Sequence, residues 1–363
     1  MKIDNQAKLL HQVIHFSYNI LVLTNKNKVF VIVKSDLQHI KILDFTTEKG
    51  AKLPLLWLSY QVFGKLLGTA PVVLINHALT GNSNVCGIDG WWKSLVGKDN
   101  CIDTNQYTVL AFNIPGNGFD NDRGNLIENY QDFTARDIAR IFIIGLQELK
   151  IQSLFAVIGG SVGGGVAWEL AILNPTLIKH LIPIASDWKS TDWLIANCYL
   201  QDLILNNSSN PIADARVHAM LCYRTPISFK TKFDRTTNKS LGVFNIESWL
   251  NHHGRKLQER FHLSTYKLMN QLLKTIDISR GRGGFNEAVL GLKSYVHIVG
   301  VNSDLFFTVD ENKETYYKLK ELNIKTSYYE IESIHGHDAF LIEYEQLRTF
   351  LSPIFKKKIN KAA

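Results

Sequence analysis

Cysteine is scarce in this chain. Cys86, Cys101, Cys198 and Cys222 are four residues in 363, with no CxxC pair among them. That excludes a disulfide framework and a cysteine-based zinc motif, and the four are expected to be reduced thiols in a cytoplasmic protein. Long apolar runs are also missing. Residues 13–33 are apolar but broken by Asn25, Lys26, Asn27 and Lys28, which argues against a membrane span and for two short strands around an Asn-Lys turn. The opening MKIDNQAKLLHQ lacks the basic-then-apolar order of a secretory signal. No internal repeat or low-complexity stretch is visible. The net charge of +7 is spread along the chain, apart from Lys356, Lys357, Lys358 and Lys361, which are expected to form a solvated terminus. Such a surplus helps an anionic ligand approach without implying nucleic-acid binding.

What the chain does have is ordinary globular composition. With 45% hydrophobic and 20% charged residues, it can bury a large core. Residues 1–40 carry no usable motif, and their role is unassigned. From about Lys41, apolar runs rich in β-branched residues recur at 72–78, 107–114, 154–160, 181–186, 295–301 and 326–332. Continuous runs of this length suit buried parallel strands. Helical patterns at 133–149 and 162–173 separate several of them. Strand-helix alternation predicts an α/β fold, a mostly parallel doubly wound sheet with helices on both faces. The alternation lapses over 187–285, which reads as helical. The expected organisation is therefore a core of 41–186 and 286–363, with a helical cap of 187–285 over the sheet's C-terminal edge, where open α/β sheets bind ligands.

The chemistry starts at FAVIGGSVGGG. Gly159, Ser161 and Gly163 form G-x-S-x-G between a strand and a helix. The tight turn demands small flanking residues and presents Ser161 Oγ above the sheet, in the manner of the α/β-hydrolase fold. The alternatives are a Gly-rich phosphate loop or a plain tight turn. Val162 opens the helix, so its N–H can face a developing oxyanion. A serine needs a base, and the order in this fold is Ser, acid, His. His337, in the loop after the last predicted strand, is the candidate base, with His335 as its nearest rival. Asp304 ends the preceding strand and would hold the imidazole in the useful tautomer; Asp310 is the rival acid. The second oxyanion donor is expected to be the N–H of Leu79, or failing that of Ala78, in NHALTGNS. His77, in the same loop, reads as a packed histidine rather than a catalytic one. No metal or tightly held prosthetic group is implied, because His335-Gly336-His337 and His252-His253 lack ligand spacing and acidic companions.

NHALTGNS, GWWKSLVG, AVIGGSVGGG, NSDLFF and HGHDAFLIEY, in that order, resemble the homoserine O-acetyltransferase family. So do ADARVHAMLCYRT and ESWLNHHGRKLQERF with ISRGRGG; the resemblance runs from about residue 40 to 350. It implies an acyltransferase in methionine biosynthesis. Ser161 would take an acetyl group from acetyl-CoA (or a succinyl group from succinyl-CoA) and pass it to the hydroxyl of homoserine. It also implies that Arg216 binds the amino acid's carboxylate and Asp338 its ammonium, and that the protein is a homodimer through its cap helices. A zwitterion requires such a pair of groups. Without this role, Arg216 is a surface arginine on a helix and Asp338 a loop-fixing carboxylate. Arg224 is a second cationic candidate.

The chain departs from the family pattern at NIPGNGFDNDRGN, in the shortened segment between Trp193 and Arg216, and at His252, His253 and Gly254. These departures leave room for an esterase or thioesterase using the same triad. A non-enzymatic scaffold would be expected to carry a broken triad.

Overall fold

The computed structural model describes residues 18–25 and 28–355. The chain divides into a short N-terminal unit ending at Asp36 and a large unit from Leu37 onward. In the first, Tyr18–Asn25 and Lys28–Ser35 pair antiparallel with Asn25 opposite Lys28, the two short strands expected there. Residues 13–17, residues 26–27 where the Asn-Lys turn is expected, and the lysines at 356–361 lie outside the described residues.

The large unit is built on eight strands. They are β1 (Gln38–Thr46), β2 (Lys52–Gly64), β3 (Val72–Asn76), β4 (Thr108–Phe112), β5 (Leu154–Gly160), β6 (Ile178–Ile184), β7 (Tyr295–Val301) and β8 (Thr326–Ile331). Their order across the sheet is β8-β7-β6-β5-β3-β4-β2-β1. β2 runs antiparallel to β1 and β4, and the remaining neighbours are parallel. The core thus begins at Gln38, slightly before the expected Lys41.

The burial patterns explain why these segments became strands. β3 and β4 are buried at every position, as their unbroken apolar runs require between two covered faces. β1 lies at the edge and buries Ile40, Ile42 and Phe45 while exposing most of the residues between.

Helix α1 (Ala135–Glu148) starts at a capping box of Thr134 and Asp137 and buries Ile138, Ile141, Phe142 and Leu146. Helix α2 (Val162–Leu173) is buried over its first ten residues, which accounts for its lack of a polar face. One apolar cluster gathers residues of α1, α2 and the cap; the other gathers Trp92, Leu95, Val96 and the last helix (Tyr344–Phe355).

The cap comprises α3 (Asp192–Asn207), α4 (Pro211–Tyr223), α5 (Pro226–Phe233), α6 (Asn245–Gln258) and α7 (Leu263–Lys274), inserted between β6 and β7. A two-residue hairpin, Thr237–Asn238 with Val243–Phe244, interrupts it. No helix among the described residues is long and apolar enough to cross a membrane.

Candidate active site

Ser161 occupies the hairpin-sharp junction between β5 and α2. Its backbone has φ 56° and ψ −129°, a left-handed conformation that costs a non-glycine residue of order 1–3 kcal/mol. Backbone hydrogen bonds hold it there: Ser161 N–H donates to Ile184 O on β6 (3.0 Å), and Ser161 O accepts from Gly164 N (2.9 Å) and Gly165 N (3.3 Å). The flanking glycines are dictated by contact. A side-chain carbon on Gly159 would lie 2.3 Å from Gly163 O, and one on Gly163 would lie 2.6 Å from Asn76 O and 2.7 Å from His77 O. The G-x-S-x-G pattern therefore records how closely α2 approaches the ends of β5 and β3. Ser161 is nearly sealed from solvent, and its hydroxyl makes no hydrogen bond among the described residues.

Asp304 and His337 come together from the ends of β7 and β8. His337 Nδ1 lies 2.8 Å from Asp304 Oδ2, and both side chains are buried. A carboxylate can only accept, so Nδ1 carries a proton, which in the neutral imidazole leaves the lone pair on Nε2. The other carboxylate oxygen accepts from Phe306 N (2.7 Å) and Phe307 N (3.1 Å), which fixes its orientation. Tyr223, Phe306, Phe307 and Phe340 surround the imidazole with ring centroids 5.2–6.0 Å away. The rival residues are elsewhere. Asp310 lies in the first turn of Val309–Glu321, and His335 Nδ1 is 3.0 Å from Ser228 Oγ.

Val162 N and Leu79 N are buried, and neither donates to a protein acceptor among the described residues. Ala78 instead contributes its carbonyl, which accepts from Gly81 N and faces His77 Nδ1 at 2.8 Å. His77 Nε2 accepts from Ile114 N at 3.0 Å. Burial pushes His77 down to about 4, so it is a neutral tie between the loop after β3 and the turn after β4. That agrees with its reading as a packed histidine.

Arg216, on α4, forms no ion pair among the described residues. Its guanidinium sits 5.4 Å from the Tyr223 ring, which in turn lies 5.5 Å from the His337 ring. The Tyr223 ring thus neighbours both this guanidinium and the imidazole. Asp338 is not free: its Oδ2 accepts from Arg224 Nε at 2.9 Å. Arg224 Nη1 also lies 3.4 Å from His335 Nδ1, and Thr225 Oγ1 donates to Ile334 O. Arg224 therefore ties the cap's α4–α5 corner to the loop carrying His337. Sequence reasoning raised Arg224 only as a spare cation and missed Tyr223 altogether. The signal in both cases is tertiary, because the partner lies more than 100 residues away.

The departures also have structural readings. Gly254 lets α6 approach α4, since a side-chain carbon there would lie 3.0 Å from Ala213 O. His253 packs on Trp249 with ring centroids 4.3 Å apart. Burial and the charge of Arg216 push it to about 4.

Comparison with known proteins fits this geometry. Residues 71–201 match the family model for the alpha/beta hydrolase fold. A homoserine O-acetyltransferase of Cyclobacterium marinum is 33% identical over 329 residues, covering 85% of this chain and 92% of that protein. The crystal structure of a homoserine O-acetyltransferase from Staphylococcus aureus superposes with a TM-score of 0.77 at 25% identity, over 90% of this chain and 97% of that one. An acetylester hydrolase from Corynebacterium glutamicum shares the fold with a TM-score of 0.74 at 20% identity, over 89% of this chain and 96% of that one.

Proposed function

Because the chain belongs to the homoserine O-acetyltransferase family of α/β-hydrolase-fold enzymes, we propose that it moves an acetyl group from acetyl-CoA to the hydroxyl of L-homoserine, a step of methionine biosynthesis, in the cytoplasm. The observation that carries this reading is the buried Asp304–His337 pair at the C-terminal edge that also holds the Ser161 elbow, with Arg216, which has no ion pair among the described residues, beside the Tyr223 ring.

In this mechanism His337 Nε2 takes the proton of Ser161 as the hydroxyl attacks the thioester carbonyl. Asp304 stabilises the imidazolium that forms. The carbonyl oxygen gains negative charge facing the N–H groups of Val162 and Leu79, donors that are already oriented and need no reorganisation. Collapse expels the thiolate of coenzyme A, which takes the proton from His337, and leaves acetyl-Ser161. Homoserine then enters. Its carboxylate meets Arg216, and its ammonium approaches the oxygen of Asp338 not held by Arg224. His337 deprotonates its hydroxyl for attack on the ester; collapse breaks the bond to Ser161, releases O-acetylhomoserine, and returns the proton from His337 to Ser161 Oγ.

A closed cap favours the amino acid over water as acceptor. Ser161 is 4% and His337 3% exposed, so bulk water has little access. A homodimer through the cap belongs to the same reading, supported by the exposed Trp193, Tyr199, Leu200 and Leu203 on α3.

The deciding experiment is thiol release from acetyl-CoA by the purified protein and by Ser161→Ala, with and without L-homoserine. Steady release stimulated by homoserine, with O-acetylhomoserine as product and none from Ser161→Ala, is the expected result. Slow release indifferent to homoserine, yielding only acetate, would make the protein a hydrolase. Wild-type turnover by Ser161→Ala would remove the nucleophile assignment. Arg216→Ala should raise the homoserine KM far more than it slows acylation by the donor.

A further inference from the structure

Between the excursion that follows β4 and the break separating α6 from α7 runs a seam with two adjoining cavities. The smaller, about 220 Å³, is lined by Gly81, Asn82, Asn117, Asn121, Arg260 and Phe261 among others. The larger, about 470 Å³, is lined by Arg123, Glu128, Tyr130, His262, Ser264 and Lys267 among others. They adjoin at Gly118, where a side-chain carbon would lie 3.0 Å from the His262 ring. Arg260 and Phe261 of the first run directly into His262 of the second. The seam begins at the oxyanion loop, where Arg260 Nη1 donates to Thr80 O (3.1 Å), next to Leu79.

Charge and unsatisfied polarity gather along this seam. Arg136, Arg140, Arg280 and Arg282 of the core all sit in ion pairs. Arg123, Arg260 and Lys267 form none among the described residues, and Glu128 is the one carboxylate on either cavity's wall. Ser264 is 8% exposed, lines the larger cavity, and its hydroxyl has no hydrogen bond among the described residues. It lies in the first turn of α7, where His262 supplies no capping side chain and no acidic residue competes. The open N-terminus of α7, the Ser264 hydroxyl, a guanidinium and an ammonium line this one cavity, and this donor set suits a phosphate. At the other end, the Asn82 carbonyl oxygen accepts from Asn84 N (2.9 Å), while its amide nitrogen has no partner among the described residues. The Asn121 carboxamide is likewise without a partner among the described residues.

We propose that this seam binds the coenzyme A portion of the acyl donor. Asn82 and Asn121 meet its amide-bearing arm on the way to Ser161, and Ser264, Arg123 and Lys267 hold a phosphate at its far end. The assignment rests on the acyl-CoA reading above.

The test compares acetyl-CoA with acetyl-pantetheine, which lacks the nucleotide, as donors to wild type and to Arg123→Glu/Lys267→Glu. Wild type is expected to favour acetyl-CoA in kcat/KM by about tenfold or more, a preference that shrinks as salt rises. The double variant is expected to lose that preference. Retention of the full preference with both charges reversed would overturn the proposal. Calorimetric titration with adenosine 3′,5′-bisphosphate separates it from the acyl-CoA reading. If neither thioester were turned over, binding by wild type that disappears in the variant would still support the site, and no binding by wild type would overturn it. Arg123→Gln and Lys267→Gln serve as milder versions should the double reversal fail to fold.

Discussion

Asp304→Asn is the substitution whose outcome follows most directly from the geometry. Phe306 N and Phe307 N both donate to Oδ1, at 2.7 and 3.1 Å. In the variant those two donors select the carboxamide oxygen for that position. The amide nitrogen must then occupy the Oδ2 position, 2.8 Å from His337 Nδ1. Two N–H groups would face one another, so the imidazole moves its proton to Nε2 and accepts at Nδ1. His337 then presents a donor toward Ser161 and cannot take the hydroxyl proton. The expected fall in kcat is about 10⁴-fold, or about 5.5 kcal/mol of transition-state stabilisation. The number of hydrogen bonds is preserved, so the thermal midpoint should move by only a few degrees. Rapid-quench measurement of thiol release from acetyl-CoA, or turnover of a chromogenic acetyl ester, reads the acylation rate directly. A variant within about tenfold of wild type, beside an inactive His337→Ala, would refute the claim that Asp304 sets the tautomer.

Gly163→Ala places a carbon 2.6 Å from Asn76 O and 2.7 Å from His77 O. It should cost about 1–3 kcal/mol in urea unfolding and lower kcat by about tenfold or more by displacing the oxyanion loop; an unchanged kcat would mean that the loop absorbs the clash. Glu169 is fully buried and pairs with Arg136 Nε (3.1 Å) and Arg282 Nη1 (2.9 Å). Glu169→Ala should destabilise by about 3–5 kcal/mol, seen as a large drop in the unfolding midpoint, whereas a small drop would show that Glu48 alone satisfies Arg136. Burial lifts the Asp187 carboxyl to about 7 from an ordinary 3.8. The folded state therefore holds a proton that the unfolded state releases between these values, so this group's contribution to stability declines as pH rises from about 4 to about 7. Asp187→Asn lacks that decline and should gain on wild type at pH 8 relative to pH 4. Parallel pH profiles of the urea midpoint would contradict the assignment.

Much of the core was legible because it follows from local pattern. Residues 154–160, 162–173 and 295–301 form the elements expected from their apolar runs, since a segment buried on both faces has little freedom to be anything else. The cap was legible as helical but not in detail. The long helical stretch at its end is two helices, α6 and α7, with the break at 259–262 that carries Arg260. No proline marks that break; packing against the loop after β4 holds it there. For the site, the elbow and the order Ser, acid, His placed Ser161, Asp304 and His337 after strands of one sheet edge, and the structure brings the last two into contact.

The sequence by itself determined the alternation of strands and helices, and hence a doubly wound sheet, and it determined the elbow, because only glycine leaves room on either side of Ser161. Tertiary structure decided the state of each polar group. Arg224 rather than solvent occupies one oxygen of Asp338, His77 is a neutral tie between two loops, and Arg123, Arg260 and Lys267 form no ion pair among the described residues along one seam. Backbone pattern is set by neighbours a few residues apart, whereas the pairing of a charge depends on which distant segment the fold lays beside it.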